Sequence, residues 1–529
     1  MQTKKVGRGK LLGAGLLAGL VAALLLTLVF VLLRNVFGIA TPSELIGDRV
    51  AGILPVDKFL QMLSAAGGYN HLKQIGFSSG IIGQLIVGAL GGLLYALIVE
   101  RARVREPERN GLFNTNRSGL VFIALFVLAL WLVSLLLLWP VLGTHYYGLP
   151  PGTATIINIV TLLVGYAICG IALVLCYGFI TSPDPLRQSA PESHPTPRRA
   201  VLIAGVGALF ALGTGVLLRR LYNQATFSYD GTQYTGTALQ FITPTDKFYS
   251  VTKNVIDPRV ARDNWQLEIT GMVDRPRKLA FNELTALPAI TQATTLMCIS
   301  NEVGGGLMSN AMWKGVPLRS LLEAAGPHAG VREVFLHGVD NYSDSFSIEK
   351  AMDPTTLVVY EMNGQPLPER HGFPVRLIVP GMFGEKNVKW ITRIELVDHD
   401  AKGFYETQGW GPNFVIPTHS RIDAPNLGNP LAAGSTVALK GIAFAGDRGV
   451  SRVEVSADGG QTWQQATIST PGTRLTWAMW NYDWRPAQPG EYKLLVRATD
   501  GNGELQTKEE RSTVPQGATG YHKVTAHVA

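Results

Sequence analysis

The 529-residue chain has three cysteines, and their placement frames the chemistry. Cys169 and Cys176 lie in a long apolar segment, so Cys298 is the only thiol of the polar C-terminal half. It stands in the stretch TTLMCISNEVGGGLMSNAMWKGVPL and has no partner in that half for an intrachain disulfide. A lone cysteine is usually a small buried hydrophobe. The other use of an isolated thiol is as a soft thiolate ligand for a metal, which deprotonates it on binding.

The chain that must position this thiol divides in two. Up to about residue 220 it runs through Leu, Ala, Val, Gly and Ile; beyond that, charges are dispersed and Pro and Gly frequent. The net charge of +7 is modest, and no dense basic patch carries interleaved aromatics, which argues against a nucleic-acid partner. Five segments, about 11–33, 79–99, 119–141, 153–180 and 200–218, approach or exceed the ~20 apolar residues needed to cross a bilayer. The first has no small-residue cleavage site and reads as a retained helix rather than a removable signal peptide.

Lys and Arg cluster in residues 1–10, 100–118 and 182–199, whereas GTHYYGLPPGT carries neither. By the positive-inside rule the N-terminus is cytoplasmic and the C-terminal half lies on the outer side, although Arg219 and Arg220 oppose this. The last apolar segment opens as TPRRAVLIAGVGALFALG, a pattern resembling a twin-arginine export signal; Arg198 and Arg199 serve equally as plain positive-inside anchors. His71 and His145 fall in or beside outer loops, and haem binding by the membrane region is not expected. Buried charges of the kind a transporter needs are missing from the spans.

In the polar half, WQLEITGMV reads as a strand, VPLRSLLEAAG as a helix ending at Gly326, and REVFLHGV as a strand, giving a mixed α+β domain. From about residue 430, STVALKGIAFAG, VSRVEVSADGGQTWQQATI and EYKLLVRATDGNGELQTK alternate like strands joined by tight turns, which suggests an immunoglobulin-like β-sandwich. The expected division is a transmembrane region over 1–220, a catalytic domain over 221–425 and the sandwich with its tail over 426–529.

Four blocks in order over residues 240–510 resemble the sulfite oxidase family of molybdopterin-dependent oxidoreductases. They are DKFYSVTKNVIDPRVARDNWQLEITGMVDRP, CISNEVGG with SNAMWKGVPLRSLLEAAG, the run from DNYSDSFSIEKAMDP to HGFPVRLIVPGMFGEKNVKWITRIEL, and VEVSADGGQTW. The five-span region is outside that pattern. The resemblance implies that Cys298 ligates molybdenum held by a pterin dithiolene. It also implies that Arg376 and Lys389 meet the pterin phosphate, that His371 bonds the pterin, and that Asn387 and Val388 line the same run. Asp340 matches a pterin-contacting acid, and Tyr249, Ser250, Lys253 and Asn254 fall in the first block's cofactor-facing segment. Gly381 and Gly384 would let the loop backbone approach closely.

The sequence also departs from sulfite oxidases. Val303 stands where those enzymes carry Arg, Lys253 replaces an arginine of the first block, Trp410 takes the place of a tyrosine, and TWAMWNYDW lacks another arginine. A small dianion needs paired charges to offset its desolvation, so sulfite is not the expected substrate. The leading expectation is a membrane-anchored enzyme performing two-electron oxo transfer on a small molecule and exchanging electrons with a separate donor or acceptor. A sulfoxide-type reductase resembling methionine sulfoxide reductases, fed through the membrane region, is the alternative. A cofactor-free surface binding module is the alternative of another class. The family also implies a homodimer formed through the sandwich.

Overall fold

A computed structural model describes residues 8–66, 69–105, 117–144, 147–181, 198–225, 239–254 and 256–529. The chain forms two compact units. One comprises Met1–Ile53, Met62–Thr226 and the short segment Lys253–Arg259; the other comprises Leu54–Gln61, Phe227–Thr252 and Val260–Ala529.

The helices are α1 (Arg8–Phe37), α2 (Pro42–Ala51), α3 (Val56–Ala66), α4 (Tyr69–Arg105), α5 (Arg117–Leu138), α6 (Pro151–Thr181) and α7 (Arg198–Ala225). Five stretches, Gly9–Phe37, His71–Ala102, Arg117–Val141, Pro151–Thr181 and Arg198–Leu221, are long and apolar enough to cross a membrane. They contain the five segments expected from hydropathy and run past them at most ends, because polar residues at a helix end extend the backbone without joining the apolar window. Helices α1 and α4 meet backbone to backbone: a Cβ at Gly19 would fall 2.1 Å from the Gly88 carbonyl oxygen, and one at Gly92 would fall 2.1 Å from that of Gly15. Between them, α2 is opened by a capping box in which Thr41 and Glu44 satisfy each other's backbone N–H groups. Glu44 also holds Arg34 at 2.8 Å, and both side chains are buried. Residues 1–7, residues 106–116, residues 182–197 of the basic 182–199 stretch and His145 lie outside the described residues.

In the second unit the chain runs β1 (Gln266–Gly271), β2 (Arg277–Ala280), α8 (Phe281–Thr285), β3 (Ile290–Met297), β4 (Met308–Pro317) and α9 (Leu318–Ala325). It continues through β5 (Glu333–Gly338), β6 (Ser343–Ser347), α10 (Ile348–Ala351), β7 (Leu357–Met362), β8 (Gln365–Pro366), β9 (Arg376–Ile378) and β10 (Ile391–Val397). One sheet has the order β2-β1-β10-β5-β6, with β1 and β10 parallel; the other has the order β3-β4-β7-β8, with β9 added to β7. Trp265, Leu336, Val375 and Ile394 fill the main core of this mixed α/β domain. Helix α9 ends as expected at Gly326, whose φ of +71° is the left-handed cap that glycine adopts without strain.

The C-terminal region is β-rich. Strands β11 (His419–Ala424), β12 (Val437–Phe444), β13 (Val450–Ser456), β14 (Gln464–Gln465), β15 (Thr467–Thr470), β16 (Ala478–Trp484), β17 (Gly490–Asp500) and β18 (His522–Val528) form two four-stranded sheets. Their orders are β11-β12-β16-β15 and β14-β13-β17-β18, and Leu439, Val453, Trp480 and Val496 lie in the core they share. A further apolar cluster (Met297, Phe383, Trp410, Phe444, Trp477) joins the α/β domain to these sheets.

Candidate functional site

Cys298 is the first residue after β3, where the strand gives way to the turn leading into β4. Its amide donates to the Leu307 carbonyl and its carbonyl accepts from Asn301 N–H, both at 3.0 Å, so the backbone of the turn is fixed on both sides of the thiol. Cys298 is 8 % exposed and packs among Phe248, Tyr249, Leu296 and Trp313. Burial pushes its thiol up to about 12, and the Glu385 carboxyl adds to the rise. Unliganded, the sulfur holds its proton, which a bound metal would displace.

The opposite wall is the loop that follows β9. Gly384 lets it approach closely: a Cβ there would crowd the Tyr249 hydroxyl at 2.8 Å and meet Cys298 Cα at 3.6 Å. The short 3-10 turn Gly384–Lys386 is held from behind by Lys386, whose ammonium lies 2.6 Å from Asp344 and 2.9 Å from Glu406. Asn387 braces the same loop: its Oδ1 accepts from Val379 N–H at 2.7 Å and its amide donates to the Phe383 carbonyl at 3.0 Å. Val388 is buried in the main core, and its carbonyl accepts from Leu377 N–H at 2.9 Å.

Arg376, at the start of β9, is 5 % exposed. Its guanidinium donates to the carbonyls of Leu377, His371 and Asn387 at 3.3, 3.2 and 3.1 Å and lies over the Trp313 ring. Among the described residues, no carboxylate pairs with this buried cation. Lys389 Nζ donates to the Arg370 carbonyl at 3.0 Å and sits over Trp390. His371 is buried edge-on against Phe248, and burial together with Arg376, Lys389 and Arg370 pushes it well below the usual histidine range. It is therefore neutral, and its Nε2 is buried without a hydrogen-bond partner among the described residues.

Tyr249 bridges the thiol and the cationic wall. Burial pushes its hydroxyl well above the ordinary range, with Cys298 and Glu385 adding to the rise and Arg376 opposing it. Ser250 Oγ donates to the Arg370 carbonyl at 3.3 Å. Asp340 is buried and accepts from Tyr342 N–H at 3.2 Å. Lys253 and Asn254 belong to the helical unit instead, where Lys253 Nζ lies 3.0 Å from Asn254 Oδ1 and 3.9 Å from Asp48. Nine of the expected residues thus lie in one unit, all but Lys253 and Asn254.

Among the described residues, a buried cation without a counter-ion, a neutral histidine with an open acceptor and a buried thiol make a consistent donor set for an anionic, nitrogen-rich, metal-bearing group. The phosphate would take Arg376, and the pterin edge would take His371. The residues present fit molybdopterin.

Comparison with known proteins agrees. Residues 254–405 match the oxidoreductase molybdopterin binding domain, and residues 413–529 match the Mo-co oxidoreductase dimerisation domain. Mitochondrial sulfite oxidase of Rattus norvegicus is 33 % identical over 315 residues, covering 50 % of this chain and 57 % of the relative. Inducible NADH nitrate reductase 2 of Glycine max is 29 % identical over 337 residues, covering 51 % of this chain and 37 % of the relative. The chain belongs to the sulfite oxidase-like family of molybdopterin-dependent oxidoreductases. It spans a little over half the length of the animal relatives it matches, whose 57 % coverage leaves a large part unmatched. The sulfane dehydrogenase SoxCD of Paracoccus pantotrophus aligns at 24 % identity and a TM-score of 0.49, over 55 % of this chain and 84 % of that one.

Within this family member the residue that sequence reasoning missed is Glu385. Burial pushes its carboxyl up to about 8, and neither oxygen has a hydrogen-bond partner of good geometry among the described residues. Trp410, noted in the sequence only as a replacement, carries a second orphan: its Nε1 is buried and unpartnered among the described residues. Its ring packs on Tyr405 with centroids 4.7 Å apart. A charged residue standing between glycine and lysine in a loop gives no sequence signal of burial.

Proposed function

We propose that this protein is a membrane-anchored molybdopterin-dependent oxidoreductase whose catalytic half works outside the cytoplasm. The observation that carries the reading is Arg376, a buried guanidinium with carbonyl partners and no paired carboxylate among the described residues, in the same unit as the Cys298 thiol. A buried charge of this kind is strongly disfavoured unless an anion completes it. Cys298 holds the molybdenum, Arg376 and Lys389 hold the phosphate, and His371 accepts from the pterin edge. Tyr249, Ser250, Asp340, Asn387 and Val388 shape the surrounding wall. Lys253 and Asn254 approach the cofactor only if the first block keeps the family register. When bound, the cofactor supplies two-electron oxo transfer. The protein orients the substrate, excludes water through its aromatic wall and keeps the turn after β3 fixed.

Sulfite is not the substrate of this reading, because Val303 and Trp410 remove cationic and hydroxyl contacts that a dianion needs. The same substitutions favour a sulfoxide-type reductase as the second reading, with electrons arriving from a separate donor or through the helices. The five apolar helices support a multi-pass anchor. The positive-inside pattern and the Arg198–Arg199 pair support export of a folded, cofactor-loaded catalytic half. The β-rich region is immunoglobulin-like in this reading and joins two copies of the chain, in keeping with the name of the domain it matches.

The test is elemental and pterin analysis of the purified full-length protein, with protease accessibility of the C-terminal half in spheroplasts. One molybdenum and one pterin per chain are expected, with cleavage from the outer side. Absence of both metal and pterin from protein made in cells competent for cofactor synthesis would reject the enzymatic reading.

A further inference from the structure

Glu385 is not needed to hold the cofactor in the reading above, yet it is placed beside the thiol. Its charge acts on Tyr249, Cys298, Tyr342 and Tyr405, all close enough to feel it. Both of its oxygens are buried and without a partner among the described residues. The residue before it packs against Tyr249 and Cys298: a Cβ at Gly384 would fall 2.8 Å from the Tyr249 hydroxyl and in ordinary contact with Cys298 Cα. The residue after it is locked by Asp344 and Glu406, so a buried ion pair anchors the backbone that carries the carboxyl. Tyr342 adds a further latch, donating from its hydroxyl to the Glu385 carbonyl at 3.1 Å. Leaving a buried carboxyl without partners is costly, so this fixed group is built to meet something that arrives.

We propose that Glu385 determines substrate specificity by accepting a hydrogen bond from the substrate. The site then takes a neutral or cationic molecule bearing an N–H or O–H donor next to its reacting atom, and disfavours oxyanions such as sulfite. A carboxyl accepts a hydrogen bond in both of its protonation states, whereas guanidinium accepts in neither. Towards a dianion it offers at best one O–H, and at worst a like charge. The orphaned Trp410 N–H supplies the complementary donor for an oxygen on the same molecule. The inference rests on the molybdoenzyme reading for its reaction, and on Glu385 alone for its selectivity.

The test uses three inert probes on full-length, cofactor-loaded protein: methanesulfonamide, the near-isosteric dimethyl sulfone that lacks the N–H, and sulfate. Dissociation constants are read by ligand-observed NMR for the native protein, Glu385→Ala and the isosteric Glu385→Gln. Molybdenum and pterin content serve as the control for folding and loading. The native protein is expected to bind methanesulfonamide at least tenfold more tightly than dimethyl sulfone. In Glu385→Ala that preference is expected to vanish while sulfate binding strengthens about tenfold, with metal content unchanged; Glu385→Gln keeps an acceptor and should retain part of the preference. Equal binding of the two sulfonyl probes by the native protein overturns the proposal, as does an unchanged preference in Glu385→Ala. Native protein without molybdenum would instead reject the reading on which it rests.

Discussion

Lys386 and Asp344 form an ion pair at 2.6 Å with both side chains about 2 % exposed, 42 residues apart in the chain. The carboxylates of Asp344 and Glu406 hold the ammonium protonated despite its burial, and the Phe414 ring lies 3.9 Å from it. The pair fixes the turn that faces Cys298 from across the site.

Removing one partner leaves the other buried and uncompensated, which typically costs about 3–5 kcal/mol. Lys386→Met is therefore expected to lower the thermal midpoint of the catalytic half and to reduce molybdenum content. Adding Asp344→Asn should restore part of the stability, since only the partly exposed Glu406 carboxylate then lacks its cation. A double variant no better than Lys386→Met, measured by thermal unfolding, would show that the pair is not what holds the turn.

Cys298→Ser exchanges a soft thiolate for a hard, weakly acidic hydroxyl at nearly constant volume. Activity with artificial electron donors or acceptors is expected to vanish while pterin is at least partly retained and the circular dichroism spectrum is unchanged. Undiminished activity in that variant would remove Cys298 as the metal ligand.

Arg376→Ala deletes a charge-assisted contact worth about 1.5–3 kcal/mol. Under limiting cofactor, occupancy measured by metal analysis is expected to fall by about one to two orders of magnitude. Full occupancy under those conditions would assign the phosphate to other groups.

His522 contributes to the pH dependence of the β-rich region. Its Nδ1 accepts from the Ile422 N–H at 3.0 Å, and burial, reinforced by Arg421, pushes it down to about 4. The unfolded chain binds this proton near pH ~6.5, so the folded state binds it more weakly. The stabilisation is complete above about 6.5 and declines as pH falls towards 4, by up to about 3 kcal/mol. The thermal midpoint should drop over that window in native protein and drop less in His522→Asn, which keeps an acceptor but does not titrate. Equal slopes in the two proteins would place the acid sensitivity elsewhere, with buried His419 the next residue to test.

Local signals made much of this legible in the sequence. Gly326 marked the end of α9 because a left-handed cap has a residue preference, and period-two alternation marked β1, β5, β12 and β17. The isolation of Cys298 was visible locally, whereas Arg376 and Lys389 were singled out only through the family resemblance; all three lie in one unit. Glu385 and Lys386 were not legible, because adjacent charges in a loop ordinarily face water. Their burial depends on Asp344 and Glu406, whose proximity is a property of the folded sheets alone. The short helix α2 was missed for a related reason: it is held by its capping box and by the Arg34–Glu44 pair rather than by an apolar stripe long enough to see. Lys253 and Asn254 were read with the cofactor-facing block, and nothing local in the sequence reveals that their segment packs with the helices.

That segment has a practical consequence for anyone wishing to cut the protein. Ile256 is buried against Val31 and Leu221, the Asp257 carbonyl accepts from Arg34 at 2.7 Å, and Arg259 donates to the Asn35 carbonyl at 3.0 Å. A chain trimmed to begin after α7 would keep the whole molybdopterin-binding match yet strip these residues of their packing, leaving a raw apolar edge near its new start. The segment Lys253–Arg259 thus packs with the apolar helices, and a fragment that lacks them will need Ile256 replaced by a polar residue before it behaves as a clean monodisperse species.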